Sequence, residues 1–281
     1  MNKITKTELE FYRLAKELNP NYKKAEPFPH CVIDNLLNSE LLKQISKEFK
    51  INENNLISFN NPNEKKIASA GLKNFGEKTK ELLEYFNGSD FLHFLELLTG
   101  INGLISDESL EGGGLHQIER GGYLKIHADF NKHSVTNLDR RLNLLLFLNE
   151  KWSQEWGGDF EMWSRDAKYC EKKVIPNFNR MVIFSTTDHS YHGHPDPLNC
   201  PIGIYRRSIA LYYYTSGRPT SEIRSGLKYH STLFVKRSKK HQDLKMFIYN
   251  MLKNWNPKQM FKFILPGQLV DWIVEKRRKR Q

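Results

Sequence analysis

The chain has 281 residues, 39% of them hydrophobic and 27% charged, a balance that fits a folded, water-soluble protein and excludes a disordered one. No apolar run approaches the roughly 18 residues that would cross a membrane. Three cysteines with no CxxC pair (Cys31, Cys170, Cys200) exclude a disulfide scaffold and a cysteine–zinc module, and point to a reducing, cytoplasmic compartment.

The formal net charge is +11, and residues 236–281 carry +10 of it. The basic balance therefore bears on the tail alone. Its KRRKR end (Lys276 to Arg280) reads first as a solvated terminus. It also suits contact with an anionic surface, while nucleic acid is not the expected partner.

In chain order, MNKITKTELEFYRLAKELNP has no continuous apolar core, so it reads as a short helix and not as a secretory signal. Thr7 and Glu10 form a capping-box pattern, Phe11, Leu14, Ala15 and Leu18 follow at helical spacing, and Pro20 lies just past the expected end. PFPHCVID (27–34) is strand-like. NSELLKQISKEF is a helix with Asn38 or Ser39 as cap and Leu41, Leu42, Ile45 and Phe49 on one face. Asn-rich residues 51–66 are expected to be a loop, and 77–99 to be helical again.

From Gly112 to Tyr214 short apolar or alternating runs are bounded by Gly, Pro, Asn and Asp: HQIER, GYLKIHAD, RLNLLLFLN, GGDFEMW, KKVIP, NRMVIFST and RRSIALYYYT. Seven or more such strands signal a sandwich or closed all-β unit. Residues 241–255 return to a helical stripe, and Pro266-Gly267 precedes a last short helix. The expected plan is one domain over 1–281, mainly β with flanking helices: an N-terminal support (1–111), a β core (112–219) and a basic helical extension (220–281).

Within the β region, His127 and Asp129 stand two apart, so on a strand both face one way. Alone, HxD is more often a satisfied hydrogen bond than a ligand pair. His192 follows 63 residues after Asp129, in SYHGHPDP. Two imidazoles and one carboxylate with open positions is the facial set of non-haem Fe(II) oxygenases, although zinc hydrolysis uses the same residue types. His194, two further on, is a rival ligand. Arg206 and Ser208 share one face of RRSIALYYYT. A buried guanidinium there calls for a carboxylate partner, although taken alone Arg206 and Arg207 read as surface charges. Asp159 and Glu161 follow Gly-Gly and are expected to face solvent. No phosphate loop and no GxSxG are present.

The motifs GGYLKIHADF, RRLNLLLFLN, WGGDFEMW, NRMVIFSTTDHSYHGHPDPL and RRSIALYYYT, in this order from His116 to Pro219, resemble the catalytic core of 2-oxoglutarate/Fe(II)-dependent oxygenases of the prolyl 4-hydroxylase type. PFPHCVIDNLL resembles their entry strand and helix.

The resemblance implies a double-stranded β-helix (a distorted, cupin-like jelly roll). It implies His127, Asp129 and His192 as iron ligands, with His192 preferred over His194, and Arg206 on the distal carboxylate of 2-oxoglutarate, with Ser208 beside it. Phe147 stands where some relatives carry a tyrosine that reaches this cosubstrate, the earlier position reads as Gln117, and Asn143 is a substitute polar contact. The implied cofactors are Fe(II), 2-oxoglutarate and O2, with ascorbate as a possible reductant.

The implied reaction couples decarboxylation of 2-oxoglutarate, giving succinate and CO2, to hydroxylation of an unactivated C–H. A prolyl residue of a peptide or protein, or a proline-like small molecule, is the leading substrate. The alternatives are a different small molecule, a sugar or a nucleobase, or a non-catalytic scaffold with a basic nucleic-acid or membrane-binding tail. Phe130 to Asp139, Trp163, Tyr191, His194 and Asp196 are candidates for the substrate mouth, each equally readable as packing or turn residues.

Overall fold

The computed structural model describes residues 7–49, 56–69, 75–224, 229–237, 246, 249 and 250. α1 (Glu8–Lys24) begins at the expected capping box: the Thr7 hydroxyl accepts the Glu10 N–H at 3.3 Å, and the Glu10 carboxylate accepts the Thr7 N–H at 2.6 Å. It does not end before Pro20. The helix carries an exposed Pro20 and continues because Tyr22 is buried, with its hydroxyl 2.9 Å from Ser185 Oγ. Asn19 also bonds the Leu97 and Leu98 carbonyls. These contacts outweigh the ~3 kcal/mol that an interior proline costs.

β1 (His30–Asp34) follows, then α2 (Ser39–Glu48), whose cap is Asn38: its side chain accepts the N–H groups of Glu40 and Leu41. The expected loop at 51–66 is corrected. Its described part is a hairpin, β2 (Leu56–Asn61) and β3 (Glu64–Ser69). The polar composition hid it because β3 forms to pair with backbone on two neighbouring strands, not to bury an apolar face. Residues 77–99 are two helices broken at Gly88, α3 (Glu77–Asn87) and α4 (Ser89–Thr99).

The short β4 (Ile105–Ser106) precedes eight strands: β5 (Gly114–Ile118), β6 (Tyr123–Ala128), β7 (Asp139–Phe147), β8 (Phe160–Trp163), β9 (Cys170–Val174), β10 (Arg180–Ser185), β11 (His192–His194) and β12 (Arg206–Thr215). β13 (Leu233–Phe234) closes the described β structure. The strand order is β1-β10-β7-β12-β5-β3-β6-β11-β8-β9, with antiparallel pairing throughout. β5, β12, β7 and β10 form one wall and β6, β11, β8 and β9 the other, with β3 joining them. This is the expected double-stranded β-helix.

The outer face of the first wall presents Leu142, Leu144, Leu146, Ile183, Ile209 and Leu211. These join Leu42, Ile45, Phe86, Phe91 and Phe94 of the helices in the main core. Helical spacing and the strand period of two thus converge on one interface, and the opposite strand face is left free to line a chamber.

Backbone contacts divide the chain into residues 1–238 and 239–281. In the second unit only Met246, Tyr249 and Asn250 are described, all three helical and within the helix expected at 241–255; the rest of that helix and the one expected after Gly267 lie outside the described residues. No helix among the described residues is long and apolar enough to cross a membrane.

Candidate metal centre

Cross-strand register fixes the inner face. Phe147 lies opposite Ser208, Ser208 opposite His116, and Asn143 opposite Tyr212. On the second wall His127 lies opposite His192, and His192 opposite Met162. Two irregularities decide which side chains enter. The β6–β11 register shifts between His192 and His194, so that His194 faces Leu124. The β7–β12 register shifts so that Tyr214 faces Arg140. A shift of one residue reverses facing, and so Arg140 joins Asn143 on the inner side. Gly193 is required at the first irregularity: a Cβ there would meet the Leu124 and Lys125 carbonyl oxygens at 2.7 and 2.9 Å.

His127, Asp129 and His192 come together, with candidate ligand atoms within 4.8 Å of one another. The Nε2 atoms of both histidines lie 3.4 Å from Asp129, His127 against Oδ1 and His192 against Oδ2. Each Nδ1 is turned to a backbone carbonyl, His127 to Lys125 at 2.8 Å and His192 to Ser190 at 2.9 Å. A neutral ring that donates through Nδ1 has a bare lone pair on Nε2. Two such lone pairs aimed at a carboxylate repel it, and a cation between them turns the repulsion into ligation. This donor set fits a divalent iron with its remaining positions open. Burial holds His192 down to about 4, against the opposing pull of Asp129, which keeps it neutral near pH 7.

Asp129 is itself held. Asn143 Nδ2 donates to Oδ2 at 2.7 Å, and the buried Arg140 guanidinium lies 3.2 Å from the same oxygen. Arg140 Nε donates to Asn143 Oδ1 at 2.9 Å, and its guanidinium stacks over Tyr212 at 3.4 Å and Phe130 at 4.4 Å from the ring centroids. Burial alone would raise the Asp129 carboxyl, but Arg140, His192 and His127 outweigh it and hold it well below the ordinary value. Asn143, expected as a contact to the cosubstrate, therefore uses its amide on the metal-site carboxylate. Arg140 was missed by the sequence reading, because the irregularity beside it breaks the alternation that would have marked it.

Arg206 and Ser208 are both buried on the inner face. Arg206 Nε donates to the Gly158 carbonyl at 2.7 Å, and its guanidinium lies 5.0 Å from the Phe147 ring centroid. Its terminal amino groups hold no hydrogen bond among the described residues. Burial pulls its pKa down to about 10, with only Asp159 opposing. A buried guanidinium without a bound carboxylate fits an anionic ligand. Arg207 points the other way, onto Gln117 at 2.8 Å, which takes Gln117 out of the chamber.

Glu161 does not face solvent as expected, and Asp159 is half-buried. Glu161 is buried and accepts from Trp163 Nε1 at 2.9 Å and Lys173 at 2.8 Å. Asp159 has a buried Oδ1 without a partner, and burial raises its carboxyl. The Gly-Gly turn folds this strand entry inward beside Arg206. Trp163 packs with Ile126, Ala128 and Tyr191, and the ring of Phe234 on β13 lies 5.3 Å from that of His127.

A second cluster joins exposed Ser109 to buried His133 and Asp107, but it is not a nucleophile site. The Ser109 hydroxyl already donates to Asp107 at 2.6 Å, and His133 Nδ1 accepts the N–H groups of Val135 and Thr136 at 3.2 Å each. The remaining ring nitrogen is left to donate toward Ser109, so no lone pair is free to take the hydroxyl proton.

The double-stranded β-helix thus buries two imidazoles beside a carboxylate, with an arginine open to an anionic ligand on the same inner face, a donor set that suits a ferrous ion. Residues 113–214 match the model of the 2OG-Fe(II) oxygenase superfamily, a match that agrees with the His-Asp-His donor set found in this β core.

The chain is 27% identical over 199 residues to prolyl 3-hydroxylase OGFOD1 of Mus musculus; the match covers 67% of this chain and 33% of that protein. The chain thus spans about a third of that relative. A prolyl hydroxylase of Trichoplax adhaerens, solved with a peptide of the hypoxia-inducible factor oxygen degradation domain, superposes with a TM-score of 0.53 at 18% identity, covering 73% of this chain and 91% of that one. Prolyl 4-hydroxylase of Phytophthora capsici gives 0.53 at 17% identity, covering 90% and 76%. These two likenesses establish the fold.

Proposed function

We propose that the chain is a 2-oxoglutarate- and Fe(II)-dependent dioxygenase that hydroxylates an unactivated C–H of a prolyl residue in a peptide or protein substrate, releasing succinate and CO2. The observation that carries this is the His127–Asp129–His192 cluster, in which both Nδ1 atoms are tied to carbonyls and both Nε2 atoms converge on one carboxylate. In this reading His127, Asp129 and His192 hold Fe(II), and Arg206 with Ser208 binds the distal carboxylate of 2-oxoglutarate. Bound together, Fe(II) and 2-oxoglutarate supply the activation of dioxygen.

The chain's own groups do the positioning. Lys125 and Ser190 carbonyls set the tautomer of the imidazoles. Asn143 and Arg140 fix Asp129 through Oδ2, leaving Oδ1 the less engaged oxygen for the metal. Phe147, Phe160 and Phe184 form an apolar wall beside His192 that keeps bulk water out.

The prolyl substrate is supported by the prolyl 3-hydroxylase relative. The test is succinate formation by the full chain with Fe(II) and 2-oxoglutarate. Proline-containing peptides should stimulate it and matched alanine peptides should not. Equal stimulation by both, or by neither, overturns the prolyl reading.

A further inference from the structure

The chamber has a second polar group of side chains, away from the metal cluster. Leu124 faces His194 on one side and Glu64 of β3 on the other. Two residues along β3 from Glu64 is Lys66, and two further is Ala68, which faces His116 of β5; His116 faces Ser208. Residues opposite one another, and those two apart on a strand, share a face. His194, Lys66, His116, Ser208 and Arg206 therefore line one end of the same chamber.

His194 is the odd member of this set. It is 4% exposed, and both of its ring nitrogens are buried without a hydrogen-bond partner. His116 has one such nitrogen, Nε2. Lys66 is matched by Glu64 at 3.1 Å, so it does not need a ligand. A buried imidazole with neither nitrogen bonded costs folding free energy and persists where something else completes it. Arg206, on the same chamber face, donates through Nε to Gly158, its amino groups meet no acceptor among the described residues, and the Phe147 ring centroid lies 5.0 Å from its guanidinium. A carboxylate at this end of the chamber would find two donors without acceptors on one face, Arg206 and His194.

We infer that His194 is a binding residue for 2-oxoglutarate, its ring N–H donating to the distal carboxylate beside Arg206. This rests on the reading of the site as a 2-oxoglutarate pocket. It gives His194 a role distinct from ligation: His192 turns Nε2 to the metal cluster, whereas His194, two residues on, reads the far end of the cosubstrate.

The test is equilibrium binding to the Mn(II)-loaded full chain, without oxygen. Two ligands are compared: 2-oxoglutarate and 2-oxopentanoate, which has the same chelating end but no distal carboxylate. His194→Leu should weaken 2-oxoglutarate about tenfold, the loss of one hydrogen bond to a charged group. It should leave 2-oxopentanoate and Mn(II) affinity unchanged, and His194→Gln should recover part of the loss. An unchanged 2-oxoglutarate affinity, or equal losses for both acids, overturns the assignment.

A measurement on the unmutated chain stands beside this. In the Zn(II)-loaded protein with 15N-labelled histidine, the His194 ring signal should move with 2-oxoglutarate and not with 2-oxopentanoate; no movement overturns the assignment. If the unmutated chain binds neither acid, the pocket reading itself fails. If Arg206→Ala discriminates the two acids and His194→Leu does not, only the His194 assignment fails.

Discussion

The two ends of the chamber differ in how their polar groups are satisfied. At the metal end the donor set is held by protein: Asp129 accepts from Asn143 and is ion-paired with Arg140, although Arg140 Nη2 and the Tyr214 hydroxyl are buried without a hydrogen bond, and both histidines are anchored through Nδ1. At the other end Arg206 is held only at Nε, and His194, His116 and Asp159 keep buried atoms without partners. The first end is organised before any ligand arrives, which suits a site that must hold an ion in one geometry. The second is finished by its ligand, so its residues should control cosubstrate affinity more than metal affinity.

That division can be broken by experiment. The largest effect is expected at the ligands: His127→Ala or Asp129→Ala should abolish turnover and weaken Mn(II) by more than the roughly 10–100-fold that an outer partner costs, with the circular dichroism spectrum retained. Retained turnover in either variant removes that residue from the metal site.

Arg206→Ala comes next. Loss of a charge-assisted pair should weaken 2-oxoglutarate by about a hundredfold while metal affinity changes little. A parallel fall in metal affinity would dissolve the distinction between the ends. Asn143→Leu should do the converse. It releases Asp129, so Mn(II) affinity should drop by roughly tenfold or more, with the selectivity between 2-oxoglutarate and 2-oxopentanoate preserved. A changed selectivity would return Asn143 to the cosubstrate.

The smallest effect is on stability against pH. Burial, reinforced by Lys66, holds His116 down to about 3, against an ordinary value of 6.5. Below pH 6.5 the unfolded chain takes up a proton that the folded chain refuses. This contribution is therefore intact above pH 6.5 and is lost progressively as pH falls toward 3. The Tm of the metal-free protein should decline from pH 7 to 5, and His116→Leu should flatten part of that decline. Superimposable pH slopes would contradict the buried, neutral His116.

How much of this was legible in the sequence follows from periodicity. Seven of the eight strands β5 to β12, His127 with Asp129, and Arg206 with Ser208 could be read from short apolar or alternating runs; β11 (His192–His194) was too short to show one. Arg140 and the inward course of His194 could not be fixed, since each lies beside a register shift that reverses facing. β3 was missed for a different reason. A strand that joins two walls through its backbone needs no apolar stripe, and β3 (EKKIAS) offers only Ile67 and Ala68 after a polar start. Pro20 misled because a local helix-stopping rule met a buried Tyr22 two residues later.

The most direct test of the account is a crystal of the full chain grown with Mn(II) and 2-oxoglutarate without oxygen, with the metal located by anomalous scattering. The account predicts one manganese bound by His127 Nε2, Asp129 and His192 Nε2, with the distal carboxylate between Arg206 and His194. A manganese bound elsewhere, or an Arg206 whose amino groups still meet no carboxylate, would contradict it.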